Sequence, residues 1–428
     1  MTGRIGRACL TMSAMVPFLV ACSGGDGGSW AGTLTDSAGV EIVANPATGI
    51  WGPDEAPAVI EELKIGTAGG DPEYQFGAIA SVDVGSDGTI YVLDQQSQQV
   101  RAFDRDGTFL HTIGRPGSGP GELSQLLVAL VVTAGDTLFV PDMGHQRITR
   151  FTADGETVGS FPVPMTEGIP IRWQIGPDGR IVQQTRIMNM PGQATTVAEP
   201  KDLLLERDPT GAIRDTVMVL PSGESLQMGP NSMRIRVFEA EPVWGLGEGG
   251  SIYFAMNSEY SIGQYGTDGS LVRVIRKDVA RKPVTEADIT AIREAMTRMF
   301  QDQGVPQQAM EMVMGSIEFA DQYPSFANMM GGPGGSLWVQ RVTSAQDMED
   351  LGITEFNPQD IGSPIWDVFG GDGRYLGELR LPDRYQPLRV IGDQIWGVWR
   401  DELDVQYVTM LRVDIESTPV RTEGQADG

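Results

Sequence analysis

Few residues in this chain have the type and spacing for chemistry. His111 and His145 are the only histidines, so no three-His metal site can form, and the lyases of ring-shaped repeat folds that use several His ligands fit poorly. Cys9 and Cys22 are the only cysteines, which excludes a multi-thiolate site. The run Asp104-Arg105-Asp106-Gly107 has the start of a calcium loop, yet its twelfth position is Arg115, where such a loop needs a bidentate acid. Gly114 to Gly121 has the glycines of a phosphate cradle but not the Lys-Ser/Thr ending. Asp94 and Asp142 end apolar runs, where a carboxylate either faces a ligand or accepts N–H groups of the next turn; the turn role is favoured. No nucleophile elbow is present, although counting alone leaves a Ser-His-Asp set open. No catalytic residue and no metal ligand is therefore assigned.

The elements that must position these groups are short strands. Two kinds of turn alternate. Asp87-Gly88, Gly135-Asp136, Asp178-Gly179, Gly249-Gly250, Gly334-Gly335 and Gly392-Asp393 each precede a short apolar run such as Ile90-Tyr91-Val92 or Leu337-Trp338-Val339. Asp106-Gly107, Asp154-Gly155, Thr210-Gly211, Asp268-Gly269 and Asp372-Gly373 each follow one. Such pairs predict hairpins with primed turns, which need positive φ. Six of one kind and five of the other predict six four-stranded units, one lacking its last strand.

The missing strand stands near the N-terminus. Glu62-Leu63-Lys64-Ile65-Gly66 with its following Gly-Pro loop repeats the pattern of Leu110-His111-Thr112-Ile113-Gly114 and its loop. Residues 61–66 are thus expected to complete the unit whose other strands are Leu388–Ile391, Gln394–Arg400 and Gln406–Asp414. Radial closure leaves only short, protected edges. Fifty-five glycines in 428 residues suit so turn-dense an all-β fold. The expected domains are residues 1–21 as a targeting segment, 22–38 as a flexible tether, 39–416 as the ring and 417–428 as a disordered tail.

Residues 1–21 carry Arg4 and Arg7 before an apolar stretch too short to span a bilayer. The stretch ends Leu19-Val20-Ala21-Cys22, which resembles the bacterial lipobox. That resemblance implies acylation of Cys22 as the new N-terminus and, with Ser23 following, outer-membrane sorting. The formal net charge of −26 opposes binding to nucleic acid or anionic lipid, so membrane attachment would come from acyl chains alone.

The stretch Ile79–Asp94, then Val100–Gly107, then Gly119-Pro120-Gly121-Glu122-Leu123 resembles NHL-type six-bladed β-propellers, and Phe139–Asp142 with Arg147–Phe151 repeats it. The resemblance implies an interaction scaffold more often than an enzyme. Between units four and five, residues 284–322 break the β texture. Thr285 is placed to cap a helix whose face carries Ile289, Ile292, Met296, Met299 and Phe300; a second stretch with Met310, Val313, Met314 and Ile317 follows. This helical pair is expected to pack on the ring, with a lid over the central funnel as its functional alternative. The expectation is a monomeric, lipid-anchored propeller of the bacterial envelope that binds a protein or glycan without a cofactor. The alternative is a Ca²⁺-dependent hydrolase or lactonase with its carboxylates in the funnel.

Overall fold

A computed structural model describes residues 30–413, except 53–54, 165–167, 176–179, 189–199, 209, 224, 229–232, 303, 345–346 and 348–360. Cys22, the targeting segment, most of the tether and the tail 417–428 lie outside the described residues.

Six antiparallel meanders form a six-bladed β-propeller. From the innermost strand outward, blade one is Ile79–Val84, Ile90–Asp94, Gln99–Phe103 and Phe109–Ile113. Blade two is Val131–Val132, Leu138–Asp142, Arg147–Phe151 and Thr157–Pro162, and blade three Ile169–Ile175, Ile181–Ile187, Lys201–Arg207 and Ile213–Pro221. Blade four is Pro242–Leu246, Ile252–Met256, Ser261–Tyr265 and Leu271–Lys277; blade five is Asn328–Gly331, Leu337–Val342, Gly362–Phe369 and Tyr375–Arg380. Blade six runs Tyr385–Ile391, Gln394–Arg400 and Gln406–Val413, and Val59–Ile65 supplies its outer strand in antiparallel register with Gln406–Val413. The chain's start and end thus share one sheet, as the repeat pattern requires.

Strands such as Ile90–Asp94 and Leu138–Asp142 are buried on both faces, whereas outer strands such as Thr157–Pro162 are largely exposed. Ile90 and Val92 pack toward blade six with Ile65, Trp396 and Val408, while Tyr91 and Leu93 pack toward blade two with Leu138 and Val140. Alternate side chains leave opposite faces of a strand, so each sheet joins two inter-blade cores. Burying one Val, Leu or Ile side chain contributes about 1.5–3 kcal/mol, which lets the ring hold without disulfides.

The Asx-Gly turns differ from expectation. In the turn from Asp104 to Gly107, the Gly107 N–H donates to the Asp104 carbonyl and only Gly107 has positive φ. The Asp104 carboxylate accepts from Asp106 N and Thr108 N, which satisfies the central residues without a primed turn. A register shift follows between Ala102 and Phe103, the bulge that accompanies this turn. Among the described turn pairs singled out in the sequence, only Gly249-Gly250 and Gly334-Gly335 have two successive positive φ values; Ala38-Gly39, between Thr33–Ser37 and Val40–Asn45, has them too. The five Asx-Gly or Thr-Gly turns before outer strands share one packing role. Gly107, Gly155, Gly211, Gly269 and Gly373 each lie against the outer strand of the preceding blade, touching Ile65, Ile113, Phe161, Val217 and Ile275 in turn.

The N-terminal segment does more than close the ring. Strand β1 (Thr33–Ser37), assigned to the tether by sequence, pairs with β2 (Val40–Asn45), and β2 adds in parallel to Leu271–Lys277, so blade four has six strands. Asn45 then bridges to blade five, accepting from Tyr375 N at 2.7 Å and donating to the Gly373 carbonyl at 3.0 Å. Trp51 N donates to the Leu376 carbonyl before the chain enters β3 (Val59–Ile65). One segment thus fastens blades four, five and six.

The insertion holds helices α1 (Glu286–Asp302) and α2 (Gln307–Gly315). Thr285 and Asp288 cap α1 reciprocally: Thr285 N donates to Asp288 Oδ2 at 2.7 Å and Asp288 N to Thr285 Oγ1 at 3.3 Å. Ile292 is buried with Phe238, Tyr323 and Val342, so the apolar face packs down on the ring. Ile317 is not on a helix; it begins the strand Ile317–Phe319, which pairs in parallel with Met233–Val237 in a small extra sheet.

Candidate functional site

The innermost strands of all six blades surround a cavity of about 710 Å³. Its wall is apolar at Val82, Leu130, Leu246, Met330 and Leu388, and polar at Arg172, Gln174, Asn328 and Arg389, with Glu248, Asp393 and Arg412 also in the lining. A volume of ~300–1,000 Å³ with apolar walls and a few placed polar groups is typical of small-ligand sites. No residue of α1 or α2 lines it. The helices are inserted where inner strands begin, whereas the lining runs on through Gly247, Gly332–Gly335 and Asp393, where inner strands finish. The helical pair is therefore not a lid on this cavity.

Backbone irregularities aim the polar groups inward. Register shifts fall between Ile79 and Ser81, between Pro170 and Arg172, and between Pro387 and Arg389. Ser81, Arg172 and Arg389 each follow the irregularity, and each lines the cavity. A bulge bends a strand and re-aims its side chains, and proline is tolerated there because the ladder already lacks a bond. The tripeptides Pro170-Ile171-Arg172 and Pro387-Leu388-Arg389 are one device used in blades three and six, which face each other across the ring.

The two guanidiniums differ in their partners. Arg389 is paired with Asp83, which also accepts from Val132 N at 2.7 Å and Val84 N at 2.8 Å. Asp83 is fully buried, and burial pushes its carboxyl up to about 6 against the opposing pull of Arg389 and these N–H groups. Arg172 has no carboxylate. Its Nη1 donates to the Trp244 carbonyl at 3.2 Å and to Asn328 Oδ1 at 3.0 Å, and its guanidinium lies 5.8 Å from the Trp244 ring centre. Among the described residues its Nε and Nη2 have no protein partner, and burial pushes the guanidinium down to about 10. Gln174, two residues on and so on the same strand face, accepts from Leu246 N at 2.9 Å.

The residues singled out in the sequence lie elsewhere and hold loops. Asp94 accepts from Gly77, Ala78 and Gln96 N–H groups and pairs with buried Arg101 at 3.3 Å. Asp142 accepts from Ser124 N and His145 N. Ser124, Asp142 and His145 do come together, but the serine hydroxyl and His145 Nδ1 both bind the aspartate, so no imidazole stands ready to take the serine proton. His111 Nε2 meets the Ala153 carbonyl of the next blade at 2.9 Å. The Gly114–Gly121 loop is held by Arg147, which donates to the Gly119 and Glu122 carbonyls. Among the described residues no three His, Cys, Asp or Glu side chains are grouped to hold a metal ion. The arginines went unnoticed in the sequence; the repeated Pro-aliphatic-Arg was the signal that could have found them.

Comparison with known proteins agrees on architecture. A family model described as a 6-bladed beta-propeller matches residues 72–167. No curated protein matches the sequence. The structure is similar to a member of the duf4221 family from Bacteroides vulgatus, with a TM-score of 0.51 and 11% identity over 84% of this chain and 98% of that one. Virginiamycin B lyase from Staphylococcus aureus has a TM-score of 0.42 at 11% identity, covering 83% of this chain and 99% of its own. A gluconolactonase from Xanthomonas campestris has a TM-score of 0.38 at 14% identity, covering 79% and 87%. At these identities the likeness concerns the fold alone.

Proposed function

We propose that the protein is a lipid-anchored, NHL-type propeller of the bacterial envelope that acts as a monomeric binding module, receiving a ligand or a projecting part of a glycan or protein partner in the central cavity. One observation carries this reading: a cavity of about 710 Å³ is walled by inner strands of all six blades, with a few placed polar groups on its wall. Catalysis of proton transfer needs a group free to exchange a proton. Asp83, between the lining residue Val82 and its partner Arg389, has both oxygens engaged by N–H donors or Arg389, and of the carboxylates in the lining Asp393 is paired with Arg412, which leaves Glu248 as the group to test for such exchange. Anchoring is supported by the Leu19-Val20-Ala21-Cys22 sequence, and no helix among the described residues is long and apolar enough to cross a membrane.

Two measurements test the reading. Metabolic labelling with an alkyne fatty acid should mark the wild type and leave Cys22→Ser unlabelled; equal labelling would remove the anchor. Native mass spectrometry of protein extracted from its own membranes should show a bound mass that is reduced or absent in Met330→Trp, whose bulkier side chain narrows the cavity. Identical spectra for the two proteins would remove the cavity as the binding site.

A further inference from the structure

We propose that the cavity selects an amphiphilic oxyanion, a small molecule with a carboxylate or phosphate head and an apolar body, and that Arg172 is the group that holds the head. The inference rests on the binding-module reading above and names the ligand class. The chain has 57 acidic and 31 basic residues, yet among the described residues no carboxylate is paired with Arg172. Arg172 is given two neutral acceptors instead, the Trp244 carbonyl and the Asn328 amide oxygen. Both engage Nη1, so Nε and Nη2 remain as a side-by-side pair of donors, the edge of guanidinium that grips an oxyanion through two parallel bonds. An unpaired charge withdrawn from water is costly, and the arrangement persists more readily if an anion completes it.

Arg389 shows the contrast. It stands on the opposite wall in the same Pro-aliphatic-Arg setting, but Asp83 neutralises it. Arg412, also in the lining, is paired with Glu62 and Asp393, so Arg172 is the lining cation without a carboxylate among the described residues, which suits a head carrying a single charge at one end; the lining carboxylate Glu248 is solvent-exposed. Leu130, Leu246, Met330 and Leu388 supply the apolar wall for the body. The acidic exterior would disfavour anions through long-range repulsion, so recognition must come from short-range bonds inside.

Isothermal titration of the purified chain with octanoate, octyl phosphate, octanol and octylamine tests this, with Arg172→Gln, Arg172→Lys and Met330→Trp alongside. The wild type should bind at least one of the two anionic probes at least tenfold more tightly than octanol or octylamine, and the stronger of the two identifies the head. Arg172→Gln should lose that preference while still binding octanol as the wild type does. Arg172→Lys should recover only part of it, because an ammonium cannot make the paired bonds. Equal affinity for charged and neutral probes, with binding reduced or lost in Met330→Trp, would overturn the oxyanion class and keep the cavity. Binding that ignores Met330→Trp, or no binding of any probe, would overturn both. Far-ultraviolet circular dichroism of each variant excludes misfolding as the cause of a loss.

Discussion

At the scale of single residues, the ring treats its buried carboxylates in opposite ways. Burial raises Asp83 to about 6, so the folded protein keeps this proton up to a higher pH than the unfolded chain does. Its contribution is therefore fully present below the unfolded value near 3.8 and is lost as pH rises through about 6. The difference of roughly two units corresponds to about 3 kcal/mol. Urea denaturation of the wild type and of Asp83→Asn at pH 4 to 7.5 isolates the group. The wild type should lose stability relative to the variant across that range by up to about 3 kcal/mol, and a pH-independent difference would refute the shift. Asp367 is the reverse case. It joins blades four and five through Lys277 Nζ at 2.9 Å, Arg341 Nη2 at 2.7 Å, Tyr260 Oη at 2.8 Å and Tyr375 Oη at 2.9 Å. Burial alone would raise its carboxyl, but Lys277 and Arg341 together outweigh that and hold it below the usual carboxylate range. Asp367→Ala leaves the buried Lys277 without its carboxylate, while Arg341 keeps Glu378, and is expected to cost about 3–5 kcal/mol. A loss under 1 kcal/mol in the same assay would contradict that role.

At the scale of elements, the turns and strands were readable because their signals are local. Asp-Gly pairs fix where the chain reverses, and doubly buried apolar runs fix what lies between. What was not readable is what local sequence does not encode. The Asx-Gly turns need one left-handed residue rather than two, since an Asp or Thr side chain can bind the turn's own N–H groups. Thr33–Ser37 has a polar, exposed sequence and becomes a strand because it folds back on Val40–Asn45, which itself adds to the outer edge of blade four. Ile317 has helical spacing from Met310 and Val313, yet the pull of a parallel partner at Ile235 wins over a short helix. The inward arginines depend on bulges, which the repeat pattern does not disclose. Gly107 illustrates the strictness of a turn. Its φ is +83°, and a Cβ there would lie 3.1 Å from Ile65 Cγ1 on blade six. Gly107→Ala is expected to cost about 1–2 kcal/mol from backbone conformation alone, with more from the crowded contact. Gly392→Ala has the same sign of φ but open space around it, so the excess of the first loss over the second, read from thermal melts, measures the packing; equal losses would mean that the contact is immaterial.

For the whole molecule, the decisive feature is that the ring is closed by a segment remote in sequence from the rest of its sheet. Blade six owns only three strands until β3 pairs with Gln406–Val413. Without β3, that strand would present an open edge, while Val408 and Leu411, both buried in the ring, would lose their cover. The hairpin β1–β2 is different, because it extends blade four, whose four strands are complete without it. The two contributions separate in truncations. A chain beginning at residue 47 loses the hairpin and the Asn45 bridge but keeps β3, so it should stay monomeric and melt cooperatively at a reduced temperature. A chain beginning at residue 67 should self-associate in sedimentation velocity and lose its cooperative transition. A synthetic peptide spanning residues 57–67 should restore the monomer and the transition by adding back the strand, since main-chain pairing on an exposed edge is enough for recognition. If the chain beginning at residue 67 were monomeric and melted as the one beginning at residue 47 does, closure by β3 would contribute nothing to holding the six blades together.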